Sequence, residues 1–257
     1  MKLMDVQIDE ITREEARETL KKPQIIFTPN PEILLEARKN AAFRQALKKG
    51  TLMLPDGHGL LLVSTLLQIK FKFIRAFAYL PSLLLFLVWK HPFKKVFPEI
   101  IHGSDFMEDV IAWSEKNKKS VFFLGGKIGV AKKTAQVFKE KYPHLKVAGS
   151  STENPSTKAF EIVKASKADV LFVAYGAPKQ ELWIAEYARK IPTLVHVMGV
   201  GGSFDFWSGA VKRAPRLLRK LGLEWMWRLF LQPLQRTRRI YNATIKFPIL
   251  TLFIDER

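Results

Sequence analysis

The sequence predicts an α/β fold, a Rossmann-like, mostly parallel sheet with helices on both faces, followed by a basic amphipathic helical appendage at the C-terminus. Three observations predict it. From about Ser120 to Gly202, short β-rich apolar runs alternate with helix-patterned stretches. Two more runs of the same kind, "PQIIFTPN" and "TLMLPDG", stand nearer the N-terminus. After Gly209 the strand pattern stops. Strand and helix in repeated alternation imply parallel strands joined by right-handed crossovers. Ligands bind such sheets at the carboxyl ends of the strands.

Taken in order, "PQIIFTPN" and "TLMLPDG" are strands with one helix, "PEILLEARKNAAFRQALKK", between them. "SVFFLGG" is the next strand, and "GVAKKTAQVFKEKY" an amphipathic helix with Val130, Ala131, Ala135, Val137 and Phe138 on its apolar stripe. "LKVAGSS" is a strand and "NPSTKAFEIVKAS" a helix opened by Pro155 and Ser156. "ADVLFVAYG" and "TLVHVMGVGG" are buried strands that flank the helix "PKQELWIAEYARK". Beyond Gly209, "RLLRKLGLEWMWRLFLQPLQRTRRIYNATIKF" predicts two or three basic amphipathic helices, the second broken near Pro233. The expected division is an α/β domain at 1–209 and a helical, membrane-associating appendage at 210–257.

Within the first part, about 60–98 is an apolar, basic insertion. Ala76 to Trp89 runs fourteen residues without a charge and contains Pro81. A membrane-spanning helix needs about 20 apolar residues, so the stretch is too short to cross. It is either a buried core helix or an interfacial or re-entrant insertion, bordered by Lys70, Lys72, Arg75, Lys90, Lys94 and Lys95.

The chain of 257 residues carries a formal charge of +18, with 47% hydrophobic and 26% charged residues. That length and composition suffice for a substantial core. The charge implies an anionic partner: nucleic acid, a phospholipid surface or a phosphorylated substrate. In both basic regions the lysines and arginines are interleaved with Leu, Ile, Phe and Trp, a mixture that favours an anionic bilayer over a nucleic-acid groove. The chain has no cysteine, which removes disulfides, thiolate zinc sites and cysteine nucleophiles. Its charged N-terminus lacks the apolar core of a signal peptide, so the expected place is the cytoplasm.

The turn "LGGKIG" follows a strand and opens a helix, where amides can cradle an anion. Its glycine spacing misses that of dinucleotide-binding folds, and no acid ends the following strand, which disfavours a dehydrogenase. A nucleotide of another kind and a plain tight turn both remain open. The five histidines, His58, His91, His102, His144 and His196, show no metal-binding spacing, and His196 reads as a satisfied core histidine. There is no Asp-x-Asp pair to hold a divalent cation against a diphosphate, so a departing diphosphate would be met by arginines and backbone amides.

Asp56 is the candidate base. It follows the strand "TLML" in a Pro-Asp-Gly turn, and no other acid occurs before Glu99. Aspartate is common in such turns for conformational reasons alone. At a strand end among apolar neighbours it is also placed to act on a ligand. Thr28 and Asn30, in "FTPNP", end the neighbouring strand and point at the same crevice.

With these pieces in order, the chain resembles the WecG/TagA/CpsF family of bacterial glycosyltransferases from about Leu3 to Tyr241. The resemblance rests on "TPNPEIL", "LPDGHGL", "HGSD", "FFLGGKIGVA", "YGAPKQELW", "GVGGSFDFWSG", "RAP" and "GLEWMWRL", which occur in one order. It implies an inverting transfer of an N-acetylmannosamine-type or related hexose from a UDP-sugar to a polyprenyl-diphosphate-linked saccharide. It further implies no bound metal and no other cofactor, action in surface polysaccharide or teichoic acid synthesis, and a peripheral place on the inner face of the membrane. Nucleic acid is not an expected partner, and a homo-oligomer is left open.

By position, the resemblance makes Asp56 the catalytic base. Thr28 and Asn30 would position the sugar or acceptor, and Gln180 would bind donor or acceptor. Gly125, Gly126, Gly201 and Gly202 would give close backbone approach to the nucleotide, and Arg213, Arg228 and Arg236 would close over the diphosphate. Two departures stand out: Ile100 occupies the place of an arginine common in the family before its G-x-D block, and the segment between "PDGHG" and "HGSD" is longer and more apolar than usual. The rival function is a non-catalytic membrane- or nucleic-acid-binding module on a nucleotide-binding fold.

Overall fold

A parallel strand covered on both faces has to be apolar at nearly every position, and "VFFL" and "VLFVA" meet that demand. The computed structural model describes residues 1–212, 215, 224–231, 237 and 240–254. A short antiparallel hairpin, β1 (Lys2–Leu3) and β2 (Val6–Gln7), precedes the main sheet. That sheet has six strands: β3 (Gln24–Phe27), β4 (Leu52–Met53), β5 (Ser120–Gly125), β6 (Lys146–Ser151), β7 (Val170–Ala174) and β8 (His196–Gly199). All are parallel, in the spatial order β4-β3-β8-β7-β5-β6. Every strand expected from the sequence is present.

Alternate residues of each strand serve opposite faces. Ile26, Val121, Phe123, Val170, Phe172 and Met198 pack on one face with residues of α1 (Arg13–Thr19), α6 (Gly103–Lys116), α7 (Val130–Lys141) and α10 (Ser203–Trp207). Phe27, Phe122, Leu124, Leu171, Val173 and Val197 pack on the other with α2 (Pro31–Lys39), α3 (Ala41–Leu47), α4 (Gly59–Leu66), α8 (Thr157–Ser166) and α9 (Lys179–Tyr187). The β5–β6 register shifts beyond Val121, at a point where Gly149 admits the Phe122 ring; a Cβ on that glycine would lie 2.8 Å from it. The free edge of β4 is closed by Asp9, which exchanges hydrogen bonds with the backbone N–H (2.8 Å) and carbonyl (2.9 Å) of Met53.

The single helix expected between β3 and β4 is two. Asn40 has an extended backbone (φ −112°, ψ 101°) and caps α3 by accepting from Phe43 N–H at 3.0 Å. An asparagine side chain can take over an orphan backbone donor, which favours a fresh start over a continuous helix. Val137 is half-buried on α7, whereas Thr134 is buried and donates to the Phe204 carbonyl at 3.2 Å.

The insertion forms α4, then α5 (Lys72–Val88), then a 3₁₀ turn at His91–Phe93. α5 is a core helix on one face only. One face packs inward through Arg75 and Phe86, with Tyr79 partly buried. The other exposes Phe73, Phe77, Leu80 and Leu84, at helical spacing, with Phe71 and Trp89 at its ends; Phe77 is 80% exposed. Among the described residues no helix is long and apolar enough to cross a membrane.

After Gly209, α11 (Glu224–Leu231) and a last helix, α12 (residues 240–254), are described. α12 is α-helical at Phe247–Ile249, between two π-helical turns at Asn242–Lys246 and Leu250–Ile254. Its Phe247 and Leu252 are fully buried in the core that holds α2 and α4. It is tied to α5 by Tyr79 Oη donating to the Thr244 carbonyl and by the Arg75 guanidinium donating to the Leu252 carbonyl at 3.2 Å. The end of the expected appendage therefore packs as part of the α/β domain.

Candidate active site

The sheet order fixes which loops meet. At the carboxyl edge, Asp56 follows β4, Thr28 and Asn30 follow β3, Gly201 and Gly202 follow β8, Gly176 follows β7, and Gly125 and Gly126 close β5. At roughly 4.8 Å per strand, the four steps from β4 to β5 span on the order of 20 Å. The carboxyl edge of the sheet is thus long enough for an extended ligand.

Asp56 stands at one end of it. Its turn is pinned by Asp56 N–H donating to the Pro29 carbonyl (3.1 Å) and by Ile101 N–H donating to the Pro55 carbonyl (2.9 Å). Gly57, at φ +100°, lets the chain turn directly into α4. The Asp56 side chain is 27% exposed, and its Oδ1 lies 3.1 Å from Nδ1 of His102, which is 34% exposed. Thr28 packs on the first turn of α6, where a Cβ at Gly103 would come 3.2 Å from Thr28 Oγ1. Thr28, Asp56 and His102 are therefore brought together. His58 lies beside them, its ring 6.0 Å from that of His102. Burial, followed by the nearby Lys90, lowers the His58 pKa to about 4, so that ring is neutral at neutral pH.

Asn30 is spent differently. Its Oδ1 accepts from the N–H groups of Glu32 and Ile33, each at 3.0 Å, and so caps α2.

Gln180 is buried behind the crevice floor. Its Oε1 accepts from Gly176 N–H (3.2 Å) and Gly201 N–H (2.9 Å), and its Nε2 donates to Glu181 Oε1 (2.8 Å). The amide thus ties the loops after β7 and β8 to each other. Glu181 is buried with its Oε2 unpartnered among the described residues, and burial pushes its pKa up to about 7. Nothing in the sequence marked this carboxyl, because its neighbours in "PKQELW" are those of an ordinary helix start.

At the other end of the crevice, Gly125 (φ +97°) and Gly126 (φ +75°) adopt left-handed backbone, and a Cβ on Gly125 would lie 2.9 Å from the Tyr175 ring. Gly126 N–H donates to the Ala174 carbonyl at 3.0 Å. The amides of Gly126 and Gly201 are thereby committed within the protein. An open cleft of about 830 Å³ adjoins it, lined by Gly126, Lys127, Ile128, Ser151, Glu153 and Asn154 among others. Ile128 is 95% exposed at its lip.

Arg213 and Arg236 lie outside the described residues. Arg228 is on α11, and its side chain lies outside them too. Among the described residues no three histidines or carboxylates cluster as metal ligands.

His196 is a core residue at the amino end of β8, edge-on to Trp113 with ring centroids 4.4 Å apart. It is not the satisfied histidine the sequence suggested, because neither ring nitrogen has a hydrogen-bond partner of ordinary geometry among the described residues. Burial lowers its pKa to about 4, an effect the Leu20 carbonyl partly offsets.

The sequence profile described as "Glycosyl transferase WecG/TagA/CpsF family" matches residues 1–87 and 75–256. Two relatives are each called N-acetylglucosaminyldiphosphoundecaprenol N-acetyl-beta-D-mannosaminyltransferase. The one from Bacillus spizizenii is 33% identical over 223 residues, covering 86% of this chain and 76% of the relative. The one from Bacillus subtilis is 32% identical over 212 residues, covering 81% and 72%. A Staphylococcus aureus protein of the same name is 28% identical over 205 residues, covering 79% and 70%.

Proposed function

The chain belongs to the WecG/TagA/CpsF family and is a glycosyltransferase, and from that premise we propose that it transfers an N-acetylmannosamine-type hexose from a UDP-sugar to a polyprenyl-diphosphate-linked saccharide. The observation that carries this is the Asp56 carboxylate, part-exposed at the end of a parallel strand in a stretch without another acid. The relatives' names give the acceptor class, a sugar on undecaprenyl diphosphate.

In the proposed step the acceptor hydroxyl attacks the anomeric carbon from the face opposite the diphosphate. Its proton passes to Asp56 as the new C–O bond forms. The bond from the anomeric carbon to the diphosphate oxygen breaks, and UDP leaves with the electron pair. One base suffices for this direct inversion. No metal enters the scheme: the α7 N-terminus and Lys127 meet the nucleotide diphosphate, with Arg213, Arg228 and Arg236 as the cations that close over it. The glycines at 125, 126, 201 and 202 keep side chains out of the donor's path. Thr28 orients the sugar or acceptor. Asn30 and Gln180 act through the loops they hold.

The acceptor's lipid explains the other unusual surface. Phe73, Phe77, Leu80 and Leu84 of α5 project between Lys70 and Lys72 at one end and Lys90, Lys94 and Lys95 at the other. Such a helix lies in the interface of an anionic bilayer with its apolar face down. α12 continues the surface, with Tyr241, Ile245 and Ile249 exposed, and its Ala243 carbonyl lies 3.2 Å from the place of a Cβ on Gly59, three residues past Asp56. A lipid diphosphate held at this face would present its sugar to Asp56. The enzyme would work at the inner face of the cell membrane, in making a teichoic acid or other surface glycan.

The test is a panel of UDP-sugars incubated with a short-chain polyprenyl-diphosphate N-acetylglucosamine, with and without a metal chelator, read by mass spectrometry. A hexose added in both conditions, and lost in Asp56→Asn, is expected. Transfer by Asp56→Asn within tenfold of the parent would refute the assignment.

A further inference from the structure

An ionised carboxylate only accepts hydrogen bonds. The 3.1 Å contact between Asp56 Oδ1 and His102 Nδ1 therefore places the imidazole hydrogen on Nδ1. Both residues are held by backbone. Ile101, next to His102, donates to Pro55, next to Asp56, at 2.9 Å, and the His102 carbonyl accepts the first-turn amides of α6 from Asp105 (2.9 Å) and Phe106 (3.0 Å). Gly103 abuts Thr28. The pair is thus held by backbone bonds of the fold itself.

We propose that His102 is a positioning residue for the transfer: its Nδ1–H holds Oδ1 of Asp56, so that Oδ2 is the oxygen turned to the acceptor hydroxyl. The proposal rests on Asp56 as the base. An orienting donor of this kind fixes the carboxylate rotamer, and misplacing a reacting group by about 1 Å costs on the order of 100-fold.

The pair also acquires a pH response of its own. Among the described residues, Lys90 and Lys94 act on His58, which stands beside the pair, and Asp105 lies in the first turn of α6, which His102 opens. Neutral His102 orients Asp56 and leaves it basic. Protonated His102 turns the contact into an ion pair that holds the carboxylate's electrons and weakens the base. Turnover therefore falls on the acid side as His102 takes up a proton.

The experiment measures kcat and KM between pH 5 and 9 for the parent, His102→Leu, His102→Asn and Asp56→Asn. UDP-N-acetylmannosamine and the short-chain lipid-linked N-acetylglucosamine serve as substrates. His102→Leu is expected to lose about 10- to 100-fold in kcat, with both KM values within about threefold. His102→Asn keeps an N–H donor that does not titrate. It is expected to recover most of the turnover and to move the acid limb to lower pH. Unchanged kcat in His102→Leu, or an acid limb that stays put in His102→Asn, would overturn the proposal. If the leucine variant fails to fold, the acid limb of the asparagine variant decides alone. An active Asp56→Asn would sink the base itself and this proposal with it, whereas an inactive Asp56→Asn beside an unaffected His102→Leu would sink only the latter.

Discussion

The two ends of the crevice differ in almost every physical respect. Around β4 and the insertion, from Gly57 to Pro98, the chain carries no acid, and a row of exposed aromatic and leucine side chains on α5 faces outward between lysines. Around β5 and β6 the loops are glycine-rich and polar, and they line an open cleft containing Lys127 and Glu153. The first surface suits a lipid and the second a nucleotide. Two hydrophilic substrates would not need an apolar face on one side only. On the proposed function, the difference means that the sheet would keep its substrates apart by solubility, with Asp56 at the lipid-side end.

Charging the apolar face should break this division most severely. Phe77→Glu with Leu84→Glu removes two side chains worth roughly 1.5 kcal/mol or more each on burial, which corresponds to about 100-fold weaker binding to phosphatidylglycerol vesicles. Co-sedimentation measures it. Transfer to the short-chain acceptor should be unchanged, and unchanged vesicle binding would remove the lipid side of the comparison.

A smaller effect belongs to neither end. His196 has a lowered pKa in the fold, so above pH 6.5 it is neutral both folded and unfolded and contributes no pH dependence. Below that, the unfolded chain takes up a proton that the folded chain refuses until about pH 4, and stability falls. Between pH 7 and 5 the parent is expected to lose about 2 kcal/mol more than His196→Leu. His58, lowered in the same direction, contributes to both proteins alike. Denaturant titrations at the two pH values supply the test, and equal losses would show that this buried ring is not strained by acid.

The smallest effect sharpens the nucleotide side. Lys127→Ala should raise the KM for UDP-N-acetylmannosamine about fivefold through loss of one charge-assisted contact, with vesicle binding untouched. A drop in vesicle binding instead would put this lysine on the wrong surface.

Most of the fold was legible because its signals are local. Apolar runs such as "VLFVA" and glycine turns such as "LGG" announce strands and their ends without reference to the rest of the chain. The order of the strands was not, since nothing in "QIIF" says that it pairs with both "TLML" and "HVMG". The site divides along the same line. Asp56 and Thr28 were readable as strand ends. The contact between Asp56 and His102 was not, because it joins loops 46 residues apart that come together through long-range contacts such as the backbone bond from Ile101 to Pro55. Asn30 and Gln180 fall at the starts of α2 and α9, but the direction of their side chains depends on which backbone amides lie within reach. The break at Asn40 was missed for a similar reason: a capping side chain and a mid-helix asparagine look alike in one dimension.

The claim that joins both ends is that one carboxylate oxygen takes the acceptor's proton. It is tested most directly by the turnover of Asp56→Asn at saturating UDP-N-acetylmannosamine and short-chain acceptor, together with its melting temperature. The account predicts a fall in kcat of about 1,000-fold, with the same melting temperature and the same stabilisation by UDP. Turnover within tenfold of the parent, in a variant equally folded, would contradict it.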